Sequence, residues 1–154
     1  MATLDRIDAL RRQHSTLEHR LDDETHRPHP DDAVLAELKR RGVPAGILSN
    51  GDPEMLGVAV KSASFSGLLR HVISVHAVQK YKTDPAAYAL GPAAFGLPAK
   101  DILFVSSNGW DAIGATWFGY TTLWVNRAGA PLEQLDTEPT RTGTSLRDVL
   151  TFFA

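Results

Sequence analysis

Cysteine is absent from the 154 residues. That excludes disulfides, a thiol nucleophile and cysteine-ligated metals, and it makes a cytoplasmic location the expectation. Long apolar runs are missing as well. No stretch approaches the roughly 18 apolar residues that a membrane span requires, and the first twenty residues are charged throughout, which does not suit a signal peptide. Charge of one sign is also lacking, since 16 Lys+Arg stand against 18 Asp+Glu for a formal net charge of −2. No basic face is implied, so nucleic acid is not an expected partner. There is no internal repeat and no low-complexity tract. What is present is 43% hydrophobic and 22% charged, the composition of one ordinary globular domain. A chain of this size hides roughly 68–70% of its unfolded surface on folding.

The composition shifts near residue 30. Residues 4–23 read as a helix, with Ile7, Leu10, Leu17 and Leu21 on one apolar stripe of a charged rod. His14 falls on that stripe and reads as part of a packing face. His26 and His29 have the three-residue spacing of metal ligands on a helix, but Pro28 between them opposes that helix and no third ligand is in sight. Beyond residue 30 the punctuation is regular. Pro30-Asp31-Asp32 opens a helix carrying Val34, Leu35 and Leu38, and Gly42 closes it. Residues 44–48 form a short apolar strand, and Asp52-Pro53 starts the next helix with proline at its favoured first position. Residues 71–75 form a second strand, and one helix is expected from Asp84-Pro85 to about Phe95. Residues 102–105 form a third strand, followed by a helix from about Trp110 to Phe118. Residues 121–125 form a fourth strand, and a last helix is capped by Ser145 and runs to Phe153. Strands that alternate with helices, and that read as continuous apolar runs, predict a Rossmann-like α/β fold. Its parallel sheet is covered by helices on both faces.

In such a sheet ligands bind beyond the carboxyl ends of the strands. The first strand delivers Ser49-Asn50-Gly51 there and the second, across a loop, Lys80-Tyr81-Lys82. The third delivers Ser106-Ser107-Asn108-Gly109-Trp110-Asp111 and the fourth Asn126 and Arg127. Taken singly, each has a bland reading. Ser and Asn cap helices and shape turns, a lysine is usually solvated, and Asp111 suits the first turn of a helix. Three strand ends loaded in order with hydroxyls, amides, an ammonium and a carboxylate point instead to a binding and catalytic rim.

The order of these blocks carries a resemblance. Leu48-Ser49-Asn50-Gly51, then Lys82-x-Asp84-Pro85-x-x-Tyr88, then Phe104-Val105-Ser106-Ser107-Asn108-x-Trp110-Asp111 resembles the haloacid dehalogenase superfamily. Within it, the chain is most similar to the (S)-2-haloacid dehalogenases. Thr83 stands where that family usually has proline. The resemblance covers about residue 30 to the C-terminus, so residues 31–154 are expected to form the core and residues 1–30 the end of a helical cap or a new start. It implies a hydrolase acting on short 2-haloalkanoic acids. An aspartate displaces halide, and water then hydrolyses the ester to a 2-hydroxy acid. It further implies that Ser49 and Asn50 hold the substrate carboxylate and that Trp110 walls the site. Lys82 offsets charge beside the nucleophile, while Tyr88, Ser106, Asn108 and Asp111 orient the reacting groups. Neither cofactor nor metal is implied. Asn108 stands near the position where the superfamily's magnesium-dependent phosphatases place an aspartate, which disfavours that reading. Relatives are commonly homodimers.

One part of the pattern is missing. The family's nucleophile ends its first strand in an Asp-x-x-Gly-Thr pattern, and no such pattern occurs here. Asp5 and Asp8 follow too few residues on a charged segment, Asp31 and Asp32 precede a helix, and Gly143-Thr144 has no strand expected before it. The arginines at 6, 11, 12 and 20 do not align with the family's substrate-gripping arginine. The chain is therefore expected to be an N-terminally truncated hydrolase core with little activity alone. The alternative is a non-catalytic module that binds small carboxylates or pairs with another polypeptide. The missing strand would lie centrally, between the strands ending at Leu48 and Val105. Its loss predicts rearranged pairing, a dimer that fills the gap, or poor stability.

Overall fold

A computed structural model describes residues 30–154. The helix expected over residues 4–23, His14 on its stripe, and the His26/His29 pair lie outside the described residues. So do Asp5, Asp8 and the four arginines.

The order of elements follows the punctuation closely. Helix α1 (Pro30–Arg40) leads to β1 (Gly46–Ser49), α2 (Pro53–Ser62) and β2 (His71–Ser74). Next come α3 (Pro85–Tyr88), α4 (Leu90–Phe95), β3 (Leu103–Ser106), α5 (Gly109–Phe118) and β4 (Thr121–Val125). A fifth strand, β5 (Arg141–Gly143), and a 3-10 turn over Leu146–Phe152 complete the chain. The caps are those the residue types favour. Asp52 accepts from the Met55 amide at 2.9 Å, with Pro53 at the first position of α2. Asp84 does the same for the Ala86 amide at 2.9 Å, with Pro85 starting α3.

Three expectations need correction. The single helix from Asp84 to Phe95 is two helices. A proline at position 92 has no amide hydrogen for the carbonyl of Tyr88, and its ring crowds that carbonyl. The helix breaks at Ala89, and the Tyr88 carbonyl accepts instead from the Tyr120 hydroxyl at 2.6 Å. Gly91 permits this approach, because a Cβ there would collide with the Tyr120 hydroxyl. The second correction concerns Gly143, which does end a strand. β5 pairs in parallel with β4, Leu123 opposite Arg141 and Val125 opposite Gly143. Its sequence, Arg-Thr-Gly, is polar because it is a short edge strand, and it carries no apolar signature. Third, the C-terminal segment is a 3-10 turn rather than an α-helix. It opens with the expected Ser145 cap, which Asp148 reciprocates in a capping box.

All strand pairings are parallel, but they form two sheets. β1 pairs with β2 in one, and the order in the other is β3-β4-β5. Among the described residues β1 and β3 are not paired. The pairing is therefore not rearranged: each half of the expected sheet keeps its own partners. Helices cover both faces of the larger half. On one face Val34 and Leu38 of α1 pack with Leu123, Val125 and Val149, and with Leu103 and Val105 of β3. On the other, Phe104 meets Tyr88, Tyr120 and Ala115 of α5. This alternation along β3 and β4 is the strand period of two. Ile113 and Leu123 are 0% and 1% exposed, and burying each contributes about 1.5–3 kcal/mol. No helix among the described residues is long and apolar enough to cross a membrane.

Candidate active site

The site is assembled at the carboxyl ends of β1 and β3. Asp111 lies in the first turn of α5, where the helix dipole favours a carboxylate. Its side chain is almost wholly buried and takes three donors. The Tyr88 hydroxyl donates to Oδ1 at 2.8 Å. The Ser106 hydroxyl and the Lys82 ammonium donate to Oδ2 at 3.0 and 2.8 Å. The Lys82 and Asp111 side chains are 9% and 5% exposed, so this is a buried ion pair that survives through good geometry and extra hydrogen bonds.

Lys82 bridges the two sheets. Its ammonium also donates to the Leu48 carbonyl at the end of β1, at 3.1 Å, and stands 5.3 Å from the centre of the Phe104 ring of β3. Its backbone amide donates to Asn50 Oδ1 at 2.9 Å, which ties the loop after β1 to the segment before α3. Ser49 Oγ accepts from the Gly51 amide at 3.1 Å, and Ser74 donates to the Gly51 carbonyl at 2.6 Å, so the turn after β1 is fixed from both sides. Ser106 Oγ likewise accepts from the Asn108 amide at 3.1 Å.

Tyr88 is 1% exposed. Its pKa is raised well above the ordinary tyrosine range, chiefly by burial and then by the charge of Asp111 and the hydrogen bond to it. It is therefore a fixed donor at neutral pH. Burial raises the Tyr120 hydroxyl in the same direction. Tyr88 reaches Asp111 only because residue 114 is glycine, since a Cβ there would lie 2.6 Å from the Tyr88 hydroxyl and 2.9 Å from Thr83 Cγ2. Gly114→Ala should therefore destabilise the chain by about 1–3 kcal/mol through overpacking and push the tyrosine off Asp111. Urea denaturation, with near-ultraviolet circular dichroism as a probe of the aromatic cluster, checks both effects. An unchanged midpoint and spectrum would count against this role.

Of the expected site residues, the structure brings Lys82, Tyr88, Ser106 and Asp111 into one hydrogen-bonded cluster, with Asn50 attached through the Lys82 backbone. Ser49 lies in the adjoining turn and makes only a local bond. Asn108 occupies the cap position of α5 but makes no side-chain cap bond, and its side chain is exposed. Trp110 is 37% exposed and stands outside the hydrogen-bonded cluster. Three contributors escaped the sequence reading: the Leu48 carbonyl, the Phe104 ring and Gly114. A main-chain carbonyl leaves no residue-type signal, and Phe104 reads simply as core. Gly114 was detectable as a glycine in mid-helix, a position that needs a packing reason. The described residues hold no group of three His, Asp or Glu side chains placed to grip a metal ion.

Between the sheets, beneath this cluster, lies a cavity of about 590 Å³ lined by both β1 and β3.

Comparison with known proteins adds to this geometry. The family described as haloacid dehalogenase-like hydrolase matches residues 3–119. An (S)-2-haloacid dehalogenase of Pseudomonas sp. (strain YL) is 46% identical over 119 residues, which is 77% of this chain and 51% of that protein. The crystal structure of an L-2-haloacid dehalogenase superimposes with a TM-score of 0.78 at 61% identity, covering 80% of this chain and 55% of that one. A second, from Xanthobacter autotrophicus with chloropropionic acid covalently bound, superimposes with a TM-score of 0.72 at 33% identity, over 81% of this chain and 60% of that one. The chain thus spans about half the length of the relatives it matches.

Proposed function

This chain belongs to the haloacid dehalogenase-like hydrolase family, and we propose that it carries the charge-stabilising half of a 2-haloacid dehalogenase site while lacking the attacking carboxylate. The observation that carries this reading is the saturation of Asp111. Both its oxygens are taken, by a phenol, a hydroxyl and an ammonium, so it is a positioning group and not a free nucleophile. It fixes Lys82 at the mouth of the cavity, where an ammonium would keep a neighbouring carboxylate ionised and favour its attack on a halogen-bearing carbon. Ser49 and Asn50, in the adjacent turn, supply donors for a substrate carboxylate. Ser106 and Tyr88 hold Asp111, and Asn108 and Trp110 face the open side of the site. The substrates this arrangement suits are short 2-haloalkanoic acids, used without a metal or an organic cofactor.

The reading makes a direct test. Purified 154-residue chain should release no chloride from (S)-2-chloropropionate above the blank. Calorimetry should show weak binding of 2-chloropropionate or lactate that Lys82→Met abolishes. Sustained chloride release, lost in Lys82→Met, would show that a nucleophile is present after all. Absence of carboxylate binding in the wild-type chain would remove the binding half of the proposal. Magnesium-dependent hydrolysis of p-nitrophenyl phosphate would replace it with a phosphatase reading.

A further inference from the structure

We propose that the cavity between β1 and β3 is a receptor slot for one β-strand supplied by a polypeptide segment outside this 154-residue chain. The argument begins with direction. The Leu48 carbonyl near the end of β1 and Ser106 at the end of β3 both reach the Lys82–Asp111 pair, so the two strands end on the same side. Each has a partner on one side only, β2 and β4 respectively. Each therefore presents its other row of backbone N–H and C=O groups without a strand to meet it. A buried row of this kind is costly, and an added strand satisfies it through main-chain hydrogen bonds. Here two such rows border one cavity and run the same way, so a single strand parallel to both would pair with each.

Dimensions and chemistry define the occupant. β1 and β3 have four residues each, so four to six residues at about 3.3 Å apiece match the rim-to-rim length. Val34 and Leu38 line the slot on one side of the sheet, and Phe95 and Tyr120 are also among its lining residues. A strand enclosed in this way must be apolar at successive positions rather than at alternate ones. Residues 1–29 contain no run of four apolar residues, so they do not supply it. The relatives, which this chain spans over only about half their length, have ample sequence elsewhere for such a strand. The slot rests on backbone geometry. The proposed function enters only through the residue at the strand's carboxyl end, which would emerge beside Lys82.

The test uses the full chain and the synthetic peptide Lys-Lys-Ile-Val-Val-Ile-Val-Asp-Lys-Lys, its Asp→Asn analogue, and a control with proline at the central valine. Both the Asp and Asn peptides should slow amide exchange about tenfold or more in Gly46–Ser49 and Leu103–Ser106 together, with no change in β5, and the proline control should have no effect. Protection of neither strand, of one alone, or equally by the proline control would overturn the slot. So would a chain that sediments as a dimer with both strands already protected, because a second copy would then be the occupant. Chloride release from (S)-2-chloropropionate with the Asp peptide but not the Asn peptide would test the catalytic reading separately. If both peptides dock and neither gives turnover, the slot stands and the catalytic reading fails.

Discussion

Replacing Asp111 with alanine should cost about 3–5 kcal/mol of stability, the penalty for leaving a buried ammonium without its counter-charge. The carboxylate is the hub of the structure's central polar cluster. Its loss strands Lys82, at 9% side-chain exposure, together with the Tyr88 and Ser106 hydroxyls. The expected signature is a large fall in urea midpoint with little change in the slope of the transition. Lys82→Met/Asp111→Leu removes both charges and should recover much of the loss, since well-packed apolar residues often replace a buried pair at little cost. Should the single variant lose less than about 1 kcal/mol, the pair is better solvated than its burial indicates. A double variant as unstable as the single one would place the cost in packing rather than in charge.

Tyr88 offers the second large effect, and two substitutions separate its parts. Tyr88→Ala should cost about 3–5 kcal/mol, as for other large-to-small changes in a core. The ring is 1% exposed and packs against Phe104, Phe118 and Tyr120 at centroid distances of 5.6, 5.9 and 6.3 Å. Tyr88→Phe keeps that packing and removes only the hydroxyl. It leaves Asp111 Oδ1 short of a donor and should cost about 1–3 kcal/mol. Thermal or urea denaturation of the two variants side by side is the measurement. Equal losses would mean that the hydroxyl dominates and that the aromatic cluster contributes little.

How much of this could be read from the residues depends on what each element has to bury. β1 to β4 are legible because strands covered on both faces are apolar throughout, as in Ile47-Leu48 or Leu103-Phe104-Val105. β5 is not, because an exposed edge of Arg, Thr and Gly has nothing to hide. The break between α3 and α4 was written in Pro92 but is easily passed over where the flanking residues are alanines that favour helix. For the site, residue types at strand ends marked Ser49, Asn50, Lys82, Ser106 and Asp111. The bond that unites them spans 29 positions, from Lys82 to Asp111, and only the folded chain shows that its far side is a main-chain oxygen. Asn108 and Trp110 were placed in the correct loop, but that loop turns their side chains toward solvent. The separation into two sheets follows from the nucleophile strand that the sequence lacks, though its outcome, two intact halves about a cavity, was one of several physically acceptable results.

The proline at position 92 has a wider reach than the kink it makes. By denying the Tyr88 carbonyl its ordinary helical partner, it hands that oxygen to Tyr120, so Tyr88 is riveted at both its main chain and its phenol. The carboxylate hub is thereby wired to an outer connection remote from any substrate. Sequence drift in that connection would retune the hub without altering a single residue that touches it.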